Sequence, residues 1–238
     1  MVFNYDIAFE VAIDFTHARF DYNLTGNPEL GGDGFPLLKL HGSSNWWECS
    51  SCGGIGVFSL SSPKLRSRAV NDGTIITPYA NRKDVGLTCK KCAATFVPSG
   101  PPFIVPPTWN KTAASNVIQN VWRSAAHHLR EARHIVVVGY SFPPTDEYFK
   151  LLLGLGMASG APIDTFAIVD PNADAIAARI RKFLGPALDR SLRSVPLPFA
   201  QGLVEILPQI LAPKWRDGAR EEIKKRARIM QRGEYPTD

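Results

Sequence analysis

Apolar residues recur four apart at Val117, Val121, Ala125 and Leu129, which places them on one face of a helix spanning Ala113–Arg133. The pattern then changes. His134–Val138 is a continuous, mostly β-branched run, of the kind found in a strand covered on both faces. A turn at Gly139-Tyr140-Ser141 follows, then a helical stretch over Asp146–Met157 with Asp146 near its start. Thr165–Val169 repeats the strand pattern and ends at Asp170-Pro171-Asn172. Ala173–Leu184 has amphipathic helical spacing. Strand, loop, helix, strand, loop, helix predicts a parallel α/β sheet.

The first half is less regular. An amphipathic stretch runs through Ile7, Phe9, Val11 and Phe15, and the polar, Gly-rich segment Asn23–Gly34 reads as loop. Phe35–Leu40 predicts a compact apolar strand closed by His41-Gly42. Cys49–Cys92 is rich in Gly, Ser, Pro and Cys with little periodicity, which predicts an inserted module held by a metal rather than by a large core. Pro98–Pro107 is a Pro-rich connector back to the main body. The tail Glu221–Arg232 reads as a basic surface helix. The expected organisation is a main domain at 1–42 and 98–212, a zinc-binding module at 43–97 and a basic helix or tail at 213–238.

Composition adds bounds rather than detail. The 238 residues are 45% apolar and 21% charged, enough apolar content for a real core and against wholesale disorder. The formal charge of +5 gathers in Lys214–Arg232, so it is local; it reads as a solvated helical face or as a contact for an acidic or nucleic-acid partner. No run of about 18 apolar residues predicts a membrane span. The start Met1–Asp6 lacks the basic and apolar regions of a signal peptide. Four cysteines in two CxxC pairs fit a reducing cytoplasm and a metal better than a disulfide framework.

The cysteines carry the clearest chemistry. Each CxxC pair can turn two thiolates toward one tetrahedral ion, so Cys49, Cys52, Cys89 and Cys92 predict a closed, structural zinc site. The 36 residues between the pairs exceed the usual spacing. A redox pair and buried free thiols are the competing readings. A parallel sheet binds ligands at the carboxyl ends of its strands. That singles out Asn4–Asp6, His41-Gly42, Gly139–Ser141 and Asp170–Asn172. His41 is either a satisfied structural histidine or a base for a ribose hydroxyl. Gly139 permits close approach of a ligand, and Ser141 adds a hydroxyl; alternatively this loop caps the next helix through Thr145 or Asp146. Asp170 and Asn172 can hydrogen-bond a ribose or adenine edge, or form an ordinary turn with Asn172 as N-cap.

In this order the residues resemble the sirtuin family, and more closely its prokaryotic sirtuin-like branch. Asn4-Tyr5-Asp6 resembles the family's Asn-x-Asp element. Leu40-His41-Gly42 resembles its catalytic His-Gly, and two CxxC pairs follow as in its zinc module. Pro106-Pro107-Thr108-Trp109 with Lys111 is similar to the proline-rich return of the prokaryotic branch. Gly139-Tyr140-Ser141 stands where many members have Gly-Thr-Ser, and Asp170-Pro171-Asn172 where the late adenosine-contacting strand ends. The resemblance covers about residues 1 to 185.

The resemblance implies a Rossmann-like parallel sheet with an inserted small zinc-binding module. NAD⁺ is the implied co-substrate, with Asn4 and Asp6 at the nicotinamide and its ribose and His41 as the catalytic base. Gly139, Tyr140, Ser141, Asp170 and Asn172 become cofactor contacts. The nicotinamide–ribose bond would break, with transfer to an acyl-lysine protein or to water. The Gly-Tyr-Ser-Phe-Pro-Pro-Thr-Asp string favours the prokaryotic branch, and so hydrolysis and a defence-system partner. The family's Gly-Ala-Gly-x-Ser phosphate loop does not precede Asn4, and Gly31-Gly32-Asp33-Gly34 precedes a strand rather than following one. The expectation is therefore an N-terminally incomplete fold with weak NAD⁺ binding. The alternative is a catalytically inactive, zinc-stabilised partner-binding module. A zinc-ribbon nucleic-acid binder fits less well, because basic residues do not interleave with aromatics around the cysteines.

Overall fold

The structure is a computed structural model, and it describes residues 1–14, 18–24, 34–58, 86–97, 99–105, 116–143, 146–158 and 162–211 together with Gly218 and Glu221. The chain divides into two compact units, Met1–His128 and Leu129–Asp238. It is a mixed α/β protein with small parallel sheets. Among the described residues no helix is long and apolar enough to cross a membrane. The Pro106–Trp109 segment, Lys111, Thr145, the Gly31–Asp33 stretch and nearly all of the basic tail lie outside the described residues.

The first unit opens with α1 (Ala8–Asp14). Asp6 starts it: its Oδ1 accepts the Ala8 N–H at 3.0 Å, satisfying a donor that a helix's first turn cannot pair internally. β1 (Phe20–Asp21) and β2 (Phe35–Pro36) pair in parallel. The strand expected over Phe35–Leu40 is shorter than its apolar run. Leu37 still donates to the Asp21 carbonyl (2.7 Å), but the chain then changes partner: Leu38 accepts from Val2 (2.8 Å) and Leu40 donates to Val2 (3.1 Å). Leu37–Leu40 is buried while Phe35 and Pro36 are exposed, and ladder pairing is split between two neighbours.

Two antiparallel hairpins follow, β3 (Trp46–Glu48) with β4 (Ile55–Val57) and β5 (Leu87–Thr88) with β6 (Thr95–Phe96). A Gly56–Cys89 bridge joins them. The predicted helix appears as α2 (Asn116–Glu131). Its four-apart stripe is buried: Val121 and Ala125 are at 0% exposure, Val117 and Leu129 at 5%.

In the second unit β7 (His134–Val138), β8 (Thr165–Val169) and β9 (Leu192–Val195) form a parallel sheet in chain order. Val138 stands beside Val169, and Val169 beside Val195. The helices are α3 (Glu147–Ala158), α4 (Ala173–Leu184) and α5 (Phe199–Ile210), with a 3₁₀ turn over Gly185–Leu188. Alternation along β8 sends Ala167 and Val169 toward Ile206 of α5, in a cluster with Val195. Phe166 and Ile168 fall on the opposite face. All four are buried, so both faces of β8 are covered, each large side chain contributing about 1.5–3 kcal/mol. α5 comes so close that a Cβ on Gly202 would lie 2.2 Å from the Val169 side chain.

The run His134–Val138 was expected to be covered on both faces, and it differs from β8. His134 is exposed and Ile135–Val138 are half-buried, because among the described residues β7 is an edge strand and only β8 is central.

Candidate metal centre and strand-end residues

The two hairpins present the cysteines as two knuckles. In the first, Cys49 donates its N–H to the Gly54 carbonyl (2.7 Å) and accepts from Gly53 (2.9 Å). In the second, Cys89 donates to Ala94 (2.9 Å) and accepts from Ala93 (3.0 Å). The equivalent turn residues Gly53 and Ala93 both have positive φ, 64° and 58°. Backbone amides face the sulfurs: Gly54 N–H to Cys52 Sγ and Lys91 N–H to Cys89 Sγ, each 3.4 Å. Gly54 must be small, since a Cβ there would lie 2.9 Å from Cys89 Sγ and 2.8 Å from Lys91 Cβ.

All four sulfurs lie within 4.8 Å of one another, with Cys49–Cys92 at 3.9 Å and Cys52–Cys89 at 3.5 Å. These separations are far beyond a disulfide bond, and the cysteines are free. Zn–S bonds of about 2.3 Å in a tetrahedron put sulfurs about 3.8 Å apart, so the cluster fits a four-thiolate metal ion. The Gly54 amide pulls the Cys52 thiol down, but the thiols of Cys92, Cys89 and Cys49, with desolvation, push it up to about 12. Burial pushes Cys89 up, yet the Cys92 and Lys91 amides and neighbouring thiols bring it to about 7. A divalent ion must displace protons from such a cluster, so its affinity rises with pH.

His41 is buried at 3% exposure. Its carbonyl accepts the Val105 N–H (2.9 Å), and Ser43 donates to Phe103 (3.1 Å). Gly42 between them has φ 81°, and a Cβ there would meet the Phe103 carbonyl oxygen at 2.2 Å, so only glycine fits. The rings of Phe3, Tyr5 and Trp122 surround the imidazole with centroids 5.9, 6.2 and 6.3 Å away. Trp122 is itself fixed by its indole N–H to the Leu40 carbonyl, 2.8 Å. The structure thus brings the Asn4–Asp6 segment beside His41: Ser44 donates to the Tyr5 carbonyl at 2.8 Å. Asn4 is exposed and Asp6 half-buried. One oxygen of Asp6 is occupied in capping α1.

In the second unit the ends of β7 and β8 lie side by side, with Gly139 donating to the Val169 carbonyl (3.1 Å). Gly139 has φ 61°, and among the described residues no atom lies within 4 Å of where a Cβ would stand. The loop after it is capped as one sequence reading has it. Asp146 Oδ1 accepts the Phe149 N–H (3.2 Å) at the start of α3, and the Tyr140 hydroxyl donates to Asp146 Oδ2 (2.7 Å). Burial and the bond to Asp146 hold the Tyr140 phenol above its usual range. Phe142 adopts φ 50°, a costly conformation for a bulky residue, and is buried. The exposed Arg179 guanidinium donates to the Ser141 carbonyl. Asp170 Oδ1 accepts the Asn172 N–H (2.7 Å), and Asn172 occupies the N-cap of α4 without a side-chain capping bond.

The structure therefore gathers the four cysteines, sets Asn4–Asp6 beside His41 within the first unit, and sets Gly139–Ser141 beside Asp170–Asn172 within the second. Sequence reasoning missed Lys39, Glu10, Tyr22 and Asn45, all buried polar residues in the first unit. Lys39 had a usable signal, a charged residue inside the apolar run Phe35–Leu40, where only a paired charge can be buried. No protein-family model, curated protein or solved structure matches this chain.

Proposed function

We propose that this chain is a sirtuin-like, NAD⁺-consuming protein that cleaves the nicotinamide–ribose bond, with water or an acyl-lysine as acceptor, and that its cysteine cluster holds a structural zinc ion. In this reading the second unit is part of a Rossmann-type sheet. Asn4 and Asp6 serve the nicotinamide ribose, and His41 accepts the proton of a ribose hydroxyl. Gly139, Tyr140 and Ser141 are further NAD⁺ contacts, and Asp170 and Asn172 serve the adenosine. One observation carries the reading: Asn4–Asp6 and His41, more than thirty residues apart, lie against each other behind a glycine that tolerates no side chain. Zinc is assigned a structural role because four thiolates leave no open position for substrate. Free thiols support a cytoplasmic setting.

Incubation of the protein with NAD⁺, with and without acyl-lysine peptides, should release nicotinamide. His41→Ala should lower the rate at least about 100-fold, the usual worth of a general base. Release that is absent under all conditions, or insensitive to His41→Ala, would refute the reading.

The capping bond of Asp6 favours a second reading, a zinc-stabilised module that binds a partner without catalysis. It predicts one zinc per chain and no turnover.

A further inference from the structure

Lys39 and Glu10 form an ion pair at 3.0 Å with both side chains at 0% exposure. Burial draws the Lys39 ammonium toward its neutral form, and Glu10 opposes that. Two charges taken out of water hold together only when their geometry and remaining hydrogen bonds are good. Those bonds run to one place. The ammonium also donates to the main-chain carbonyl of Asp6. Glu10 Oε1 accepts the Tyr22 hydroxyl (3.0 Å), and Asn45 donates to both the Tyr22 oxygen (3.1 Å) and the Phe58 carbonyl (3.2 Å). Glu10 Oε2 has no hydrogen-bond partner among the described residues.

The position of the pair gives it meaning. Lys39 lies two residues before His41, and Glu10 is on the helix that Asp6 starts. The backbone lacing between the two segments, through Val2 and Tyr5, leaves Asp6 itself to be held by Lys39. An apolar pair of the same size would fill this space at no desolvation cost. It would leave the Asp6 carbonyl unanchored.

We propose that Lys39 and Glu10 are positioning residues, which fix Asn4 and Asp6 against His41 by tethering the Asp6 carbonyl. The inference rests on the NAD⁺-consuming reading for its consequence, and on geometry alone for the tether.

Two variants separate positioning from mere stability. Lys39→Met alone buries an unpaired carboxylate and is expected to destabilise the fold. Lys39→Met with Glu10→Gln removes both charges and keeps an acceptor for Tyr22, so thermal stability should return to near that of the parent. The tether stays lost. In the double variant the KM for NAD⁺ should therefore remain raised about tenfold, the worth of one charge-assisted hydrogen bond, although Tm recovers. Hydrogen exchange at the Ser44 amide, which donates to Tyr5, should be faster than in the parent at matched stability.

A double variant with parental KM and parental Ser44 exchange would overturn the proposal. If the parent protein turns over no NAD⁺, the functional reading fails while the exchange measurement still decides the tether. Faster exchange then upholds it, and unchanged exchange overturns it.

Discussion

Around the four thiols the strands are two or three residues long, and the apolar cluster beside them is Trp47, Phe58 and Leu87 with Phe96 against it. The parallel sheet of the second unit has strands of four and five residues, and its central strand buries Phe166, Ala167, Ile168 and Val169 to 1% exposure or less. Among the described residues the hairpins bury only a small apolar cluster, so a bond to something else would help to hold their geometry. Four sulfurs at metal spacing could supply such a bond. The sheet needs nothing of the kind. With a metal bound as proposed, one protein would rely on coordination in one region and on burial in another, and each should respond to a different insult.

Metal removal is expected to have the largest effect. Cys89→Ser, or a chelator, should take zinc content from about one ion per chain to none. Binding of structural zinc supplies about 10 kcal/mol or more of apparent folding energy, so amides in the two hairpins should lose exchange protection. Amides of β7, β8 and β9 should keep theirs. Joint collapse of both regions would break the contrast. Next comes Phe166→Ala in the sheet, expected to cost about 3–5 kcal/mol by denaturant unfolding while zinc content stays the same. The smallest effect belongs to Arg181→Ala. Its partner Asp189 is 3.1 Å away and both side chains are about half exposed, so the loss should be under about 1 kcal/mol. A larger loss would show that surface charge, as well as burial, holds the second unit.

β7, β8 and α4 were legible to the residue, because a β-branched run and a four-apart stripe each report one periodic surface. The cysteine cluster was legible because CxxC is a local motif whose turn geometry travels with it. Phe35–Leu40 was over-read, since hydrophobicity reports burial and cannot show that a strand changes partner at Leu37–Leu38. β9 was missed because Arg193 and Ser194 are exposed between buried Leu192 and Val195, which breaks the apolar run. α5 went unread, and two residues that ordinarily break helices, Pro198 and Pro208, stand near its ends. Pro198 sits at the N-cap, where no intrahelical N–H is needed, and Pro208 lies inside the helix near its end, where it removes the one bond an N–H there would make to the Val204 carbonyl. The Lys39–Glu10 pair joins residues far apart in the chain, and no local pattern announces a partner at that distance.

The join between Cys52 and Cys89 has a consequence for how this chain can change. Thirty-six residues lie between two sulfurs that stand 3.5 Å apart. Closing a loop at its base depends only weakly on its contour: doubling that length costs about 0.6 kcal/mol, small beside what a bound ion returns. For closure of the cysteine cluster, the length of chain between the knuckles is thus nearly a neutral variable.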